Sequence, residues 1–176
     1  VSNALAAAGL ARTVGVSHEA IRTAITEFAP GRHRIETVLV QEGITWINDS
    51  KATNPHAASA AIMSALSVIW IAGGLAKGAQ MGELVERIKS RVRVAILIGE
   101  DRELIAKELS EHAPAIEILR IDTPSQYSKG GDDNSLMETV IRAAKERAIS
   151  GDTVLLAPAC ASMDQFISYG DRGDRF

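Results

Sequence analysis

The sequence is short of several things, and each shortage closes off a class of function. One cysteine, Cys160, excludes an intrachain disulfide framework and points to a reducing compartment. Aromatic residues are 4% of the chain, too few for the stacking platforms that read single-stranded nucleic acids. Basic charge is not in excess: the formal net charge is -3 and the isoelectric point about 5.8, which argues against nucleic acid as a main partner. No apolar run approaches the roughly 20 residues of a bilayer span, so no membrane partner is expected. The N-terminus has no basic n-region and reads as a helix cut from a longer chain rather than a signal peptide, so a cytoplasmic location is expected. Neither Gly-x-x-x-x-Gly-Lys-[Ser/Thr] nor Gly-x-Gly-x-x-Gly follows any strand, so these 176 residues hold no phosphate loop for ATP or NAD.

What is present is an ordinary globular composition, 46% hydrophobic and 23% charged over 176 residues, enough for one full core with a smaller appended piece. Ala and Leu at helical spacing over residues 3 to 14 and a Ser17-capped segment from about His18 to Phe28 predict two helices whose apolar faces need cover. Pro30 and Gly31 then mark a boundary. Ile35 to Val40 and Ile44 to Ile47 predict a hairpin across Gln41-Glu-Gly43. After a helix over Pro55 to Leu66 come apolar strands at Val68 to Ala72, Val92 to Ile98, Ile116 to Ile121 and Thr153 to Ala157. Helices are expected between them, at Met81 to Arg91, Asp101 to His112 and Ser135 to Ile149. Thr123 to Asp133 reads as a loose stretch whose low-complexity patch, Lys129 to Asp133, is expected to be a mobile loop, and a terminal helix is expected to start within Pro158 to Ser162. Strands alternating with helices predict an α/β fold, a mainly parallel Rossmann-like sheet with helices on both faces, preceded by a short helical segment.

In such sheets ligands sit beyond the carboxyl ends of the strands. Three strand-end loops there carry functional groups: Asp49, Lys51 and Thr53 in Asn48-Asp-Ser-Lys-Ala-Thr-Asn54, Lys77 behind Gly73-Gly74, and Ser162 in Pro158-Ala-Cys-Ala-Ser162. Two lysines, two hydroxyls and helix N-terminal amides make a receptor for a carboxylate or phosphate. Each has a plain alternative. Lys77 by itself is more often a solvated loop charge and Ser162 by default a helix cap; Thr53 has the same bland alternative, Asp49 reads as a turn cap or a ribose acceptor, and Arg34 as a linker charge or a phosphate clamp. His33 and His56 stand alone without ligand spacing, so no metal site is expected in this chain, and Cys160 reads as buried packing.

Taken in order, His33-Arg-Ile-Glu36, Asn48-Asp-Ser-Lys-Ala-Thr-Asn54, Gly73-Gly-Leu-Ala-Lys-Gly78, Pro158-Ala-Cys-Ala-Ser-Met-Asp-Gln-Phe166 and Arg172-Gly-Asp-Arg-Phe176 resemble the Mur ligase family, in its D-glutamate-adding branch. The resemblance implies that residues 1–29 are the helical tail of a central ATP-binding domain and 30–176 a C-terminal D-glutamate-binding domain. It also implies an amide ligase of peptidoglycan synthesis that joins D-glutamate to UDP-N-acetylmuramoyl-L-alanine through an acyl phosphate. ATP and Mg2+ are the implied cofactors, with the metal ligands, phosphate loop and remaining two domains upstream, so the 176 residues alone are expected to be inactive. By the same resemblance Asn3 contacts adenine, Arg34 and Asp49 reach the ATP phosphates and ribose, and Lys51 lies at the reaction centre. Thr53 and Lys77 hold the side-chain carboxylate of D-glutamate, while Ser162 and the amide of Tyr169 hold its α-carboxylate. These three side chains, Thr53, Lys77 and Ser162, are therefore expected to share one cavity. Departures are Ala157 for a common serine, Tyr169 for a common phenylalanine, and Leu75-Ala76 for a usual acidic residue, the last bearing on the Lys77 loop. A non-catalytic small-acid or nucleotide module, and a sister ligase of the folate or cyanophycin type, are the competing readings.

Overall fold

A computed structural model describes residues 2–176. The chain divides into two units, Val1–Gly31 and Arg32–Phe176. The first is a pair of helices, α1 (Ser2–Thr13) and α2 (His18–Glu27), the second opened by Ser17, whose hydroxyl accepts the amide of Ala20. None of the residues of α2 is buried, and Leu5, Leu10, Val14 and Phe28 all stand exposed, so this unit has almost no core of its own.

The second unit is a six-stranded sheet in the order β1-β2-β6-β3-β4-β5, with β1 (Glu36–Gln41), β2 (Ile44–Asn48), β3 (Val68–Gly73), β4 (Val92–Ile98), β5 (Glu117–Arg120) and β6 (Thr153–Leu156). Only β1 runs antiparallel to its neighbour. The hairpin between β1 and β2 turns on Glu42 and Gly43, both at positive φ (54° and 75°), the pairing whose twist matches two flanking strands.

Side-chain alternation explains the two layers of helix. Along β3, Val68, Trp70 and Ala72 enter one apolar cluster while Ile69 and Ile71 enter another, and β4 divides Ala95 and Leu97 from Val94, Ile96 and Ile98 in the same way. Helices α3 (Pro55–Ile62), α4 (Gly82–Ile88) and α5 (Arg102–His112) cover the first face, and α6 (Ser135–Arg147) covers the second. Trp70 is fully buried, yet its indole N–H reaches the carbonyl of Ala157 at 2.7 Å, so its burial strands no polar group. No described helix is long and apolar enough to cross a membrane.

Two elements depart from the expectation. Helix α3 stops at Ile62 rather than Leu66, because after the last α-helical bond, from Met63 to Ser59, the amides of Ser64 and Ala65 close tightened turns on the carbonyls of Ala61 and Ile62, and the Ser64 hydroxyl also donates to the Ala61 carbonyl. The terminal helix begins at Tyr169, not within Pro158 to Ser162; α7 (Tyr169–Arg175) is capped by Ser168, and 162–168 form turns. The loop after β5 is also tied down: Tyr127 and Lys129 donate to the carbonyls of Gln165 and Met163, and Arg175 to those of Gly131 and Asp133.

Candidate functional site

Parallel strands β2, β3 and β6 end side by side, and their following loops are joined by backbone hydrogen bonds. Asp49 donates to Leu156, Ala159 to Ala52, and Gly73 to Pro158, at 2.8 to 2.9 Å. Leu75 and Ala161 exchange a reciprocal pair at 2.9 Å, an antiparallel bridge outside the sheet. Thr53 follows Ala52, Ser162 follows Ala161, and Lys77 lies just beyond Leu75, so each expected glutamate ligand leaves a loop that is fastened to another.

Among the described residues, none of the three side chains caps a helix. Asn54, not Thr53, caps α3, its carboxamide accepting the amide of Ala57 at 2.9 Å, which leaves the Thr53 hydroxyl without capping duty. Ser162 is buried, and it is its carbonyl, not its hydroxyl, that receives the turn amides of Gln165 and Phe166. Lys77 is exposed and sits at φ 51°, a left-handed conformation uncommon for a lysine. The three loops therefore meet, but on an open sheet edge. A crevice of about 320 Å3 between α3 and α4 is lined by Asn54, His56, Ser59 and Arg87, and Thr53, Lys77 and Ser162 do not line it.

A buried guanidinium holds this edge together. Arg172 of α7 is 0% exposed and donates to the Ser50 hydroxyl at 2.9 Å, the Ser50 carbonyl at 3.0 Å and the Cys160 carbonyl at 3.3 Å. Burial pushes it down to about 10, with the charge of Asp164 opposing that fall, so it remains a cation at neutral pH. Burial pushes the thiol of Cys160 up to about 12, which leaves it unreactive packing. The Ser50 hydroxyl in turn donates a hydrogen bond to the carbonyl of Tyr169 at 2.7 Å. Neither Ser50 nor Arg172 was singled out by sequence reasoning; an arginine in a short polar tail carries no mark of burial.

The segment before β1 is strained and pinned. His33 and Ile35 both have positive φ (62° and 47°), the latter an outlier for a β-branched residue. Three bonds hold it: the His33 amide to Glu36 at 2.8 Å, the Ile35 amide to the Asp49 carboxylate at 3.3 Å, and the Lys51 amide to the His33 carbonyl at 3.1 Å. Between them stands exposed Arg34, close enough for its charge to act on Asp49. Asn48 completes the clamp by donating to the Gly173 carbonyl at 2.8 Å beside the His33 ring. Asn3 belongs to the other unit, where it lines a groove of about 410 Å3 with Ala7, Ala24, Ile25 and Phe28.

Asp49 has a raised pKa because burial outweighs the Ile35 hydrogen bond and the Arg34 charge. A carboxyl that binds its proton more tightly folded than unfolded loses stability as pH rises through that window, opposite in sign to a salt-bridged aspartate. Asp49→Asn keeps an acceptor for Ile35 and removes the buried charge. We expect it to raise the urea midpoint at neutral pH relative to wild type, with the gain shrinking as pH falls to 4; an unchanged or lower midpoint at pH 7 contradicts this.

Comparison with known proteins identifies the family. A family model described as Mur ligase, glutamate ligase domain, matches residues 33–160. Over the whole chain the sequence is 48% identical to the UDP-N-acetylmuramoylalanine–D-glutamate ligase of Streptomyces avermitilis and 47% to that of Mycobacterium avium. It spans 36% and 40% of their lengths. Among solved structures, a pseudomurein peptide ligase type C from Methanothermus fervidus superimposes with a TM-score of 0.62 at 17% identity, covering 98% of this chain and 34% of that one. A UDP-N-acetylmuramate-alanine ligase from Thermotoga maritima gives 0.57 at 16%, covering 89% and 33%, and these two likenesses speak for the fold alone. The chain thus belongs to the Mur ligase family and carries its glutamate ligase domain.

Proposed function

We propose that this chain is the acceptor-binding part of an ATP-dependent ligase that forms the amide between UDP-N-acetylmuramoyl-L-alanine and D-glutamate in the cytoplasm. The observation that supports the reading is the stapling, at one sheet edge, of the three loops that carry Thr53, Lys77 and Ser162, loops that are distant in sequence. The names of the relatives at 48% and 47% identity support the choice of amino acid.

The chemistry required of these residues is positioning. The Thr53 hydroxyl and Lys77 ammonium take the side-chain carboxylate, and the Ser162 hydroxyl with the amide of Tyr169, an unpaired donor of the first helical turn, takes the α-carboxylate. The amine then faces the activated carbonyl carbon; it forms the C–N bond as phosphate leaves and sheds a proton. Lys51 supplies positive charge where negative charge develops. ATP with Mg2+ supplies the phosphoryl group that activates the acid. Within the second unit the residues present fit the nucleotide's periphery, since exposed Arg34 lies close enough to the carboxylate of Asp49 for its charge to act there; the adenine contact assigned to Asn3 rests on the family resemblance alone. Residues 1–29 would then be the tail of the ATP-binding domain, with the metal ligands, the phosphate loop and the rest of the protein upstream.

Thr53→Val, Lys77→Ala and Ser162→Ala in the full-length protein test the reading. Hydrogen bonds to charged groups contribute about 1.5–3 kcal/mol each. Lys77→Ala should therefore raise KM for D-glutamate by one to two orders of magnitude and leave KM for ATP within about twofold. Equal effects on both substrates, or none, would refute the assignment.

A further inference from the structure

The Lys51 ammonium lies against an aromatic face: its Nζ is 3.7 Å from the centroid of the Tyr169 ring. No ion pair engages Lys51 among the described residues, so its charge is held without being neutralised. Both backbones are fixed. The Lys51 amide donates to His33 and its carbonyl accepts the amide of Thr53 at 2.8 Å, while the Tyr169 carbonyl accepts the Ser50 hydroxyl that Arg172 also grips. What remains to be set is the four side-chain torsions of the lysine and the two of the tyrosine, and the contact between ammonium and ring face couples them. An aromatic ring suits this task better than a carboxylate would, because it orients a cation while leaving its field available to a neighbouring anion.

We propose that Tyr169 is a positioning residue for Lys51: its ring parks the ammonium beside the amino-acid site, so the residue whose amide receives the α-carboxylate also aims the cation at the bond being formed. This deepens the functional reading above and rests on it. It separates the two halves of one residue, since truncating the ring leaves the amide in place. The ring therefore bears on turnover and the amide on affinity.

Two measurements test it. In this chain carrying 13C-labelled lysine, the Lys51 ε-methylene protons should be shifted upfield by the ring, remain so in Tyr169→Phe, and return to the ordinary lysine position in Tyr169→Leu. In the full-length protein, Tyr169→Leu should lower kcat by roughly three- to tenfold with KM for D-glutamate changed by less than about twofold, and Tyr169→Phe should recover most of that loss. An unshifted methylene in wild type, wild-type turnover in Tyr169→Leu, a loss that falls on KM instead, or a Phe variant as impaired as Leu each overturns the proposal. If the wild-type full-length protein fails to ligate D-glutamate, the functional reading falls and the positioning role with it. The methylene shift then still reports whether the contact itself exists.

Discussion

Arg172→Met should lower the urea midpoint of the chain by an amount equivalent to about 2–4 kcal/mol, the largest stability loss expected from any single change in α7. Methionine matches the length of the apolar stem but cannot donate, so the carbonyls of Ser50 and Cys160 and the Ser50 hydroxyl lose their shared donor inside a closed environment. Each orphaned acceptor costs about 1–3 kcal/mol. Release from the desolvation that pushes the guanidinium down to about 10 offsets part of this, which is why the net figure is less than the sum. Arg172→Lys keeps a charge but not the fork that serves three acceptors on two loops, so it should fall between wild type and Met. Thermal unfolding followed by circular dichroism should show a drop on the order of 5–15 °C for Met. A melting temperature within about 1 °C of wild type would show that the guanidinium holds nothing together.

Gly74→Ala acts on the same edge from the other side. Gly74 has φ 124°, and a Cβ there would fall on the carbonyl oxygen of Ala161, the oxygen that accepts the amide of Leu75. The added methyl can be accommodated only by prising open the bridge that links the Lys77 loop to the Ser162 loop. Stability should fall by at least about 2 kcal/mol. In the full-length protein, kcat/KM for D-glutamate should fall more than tenfold while that for ATP falls far less. Gly78→Ala is the matched control: its φ is 80°, but a Cβ there meets nothing within 4 Å. It should cost about 1 kcal/mol of backbone strain and little acceptor selectivity. Comparable losses of D-glutamate turnover in the two variants would mean that the bridge is not what sets the pocket.

Much of the fold was legible because periodicity reports burial directly. The apolar run of β3, and that of β4 broken only at Arg93, signalled strands covered on both faces, and the structure divides their side chains between two clusters as that pattern requires. Strand order was not legible, since β6 inserts between β2 and β3 through pairings that leave no local trace. The overlong reading of α3 came from alanine content, whereas the Ser64 hydroxyl and tightened turns decide where it stops. The site divided in the same way. Thr53, Lys77 and Ser162 were visible as polar residues after strands, but the burial of Arg172 and the left-handed Lys77 and Ile35 were not, because such conformations are imposed by the surroundings rather than by residue type.

The place of β6 in the sheet bears on how the protein is made. Strands β2 and β3 each pair with β6 and not with each other, so the hairpin β1-β2 and the block β3-β4-β5 remain two separate pieces of sheet until residues 153–156 arrive. On a ribosome that cannot happen before residue 156 has been made, and loop closure over so many residues delays it further. The same insertion delivers Ala159, Ala161 and Arg172 to their partners. Acquisition of the ligand-gathering edge and completion of the sheet are therefore a single late event, and a nascent chain halted before Thr153 has neither.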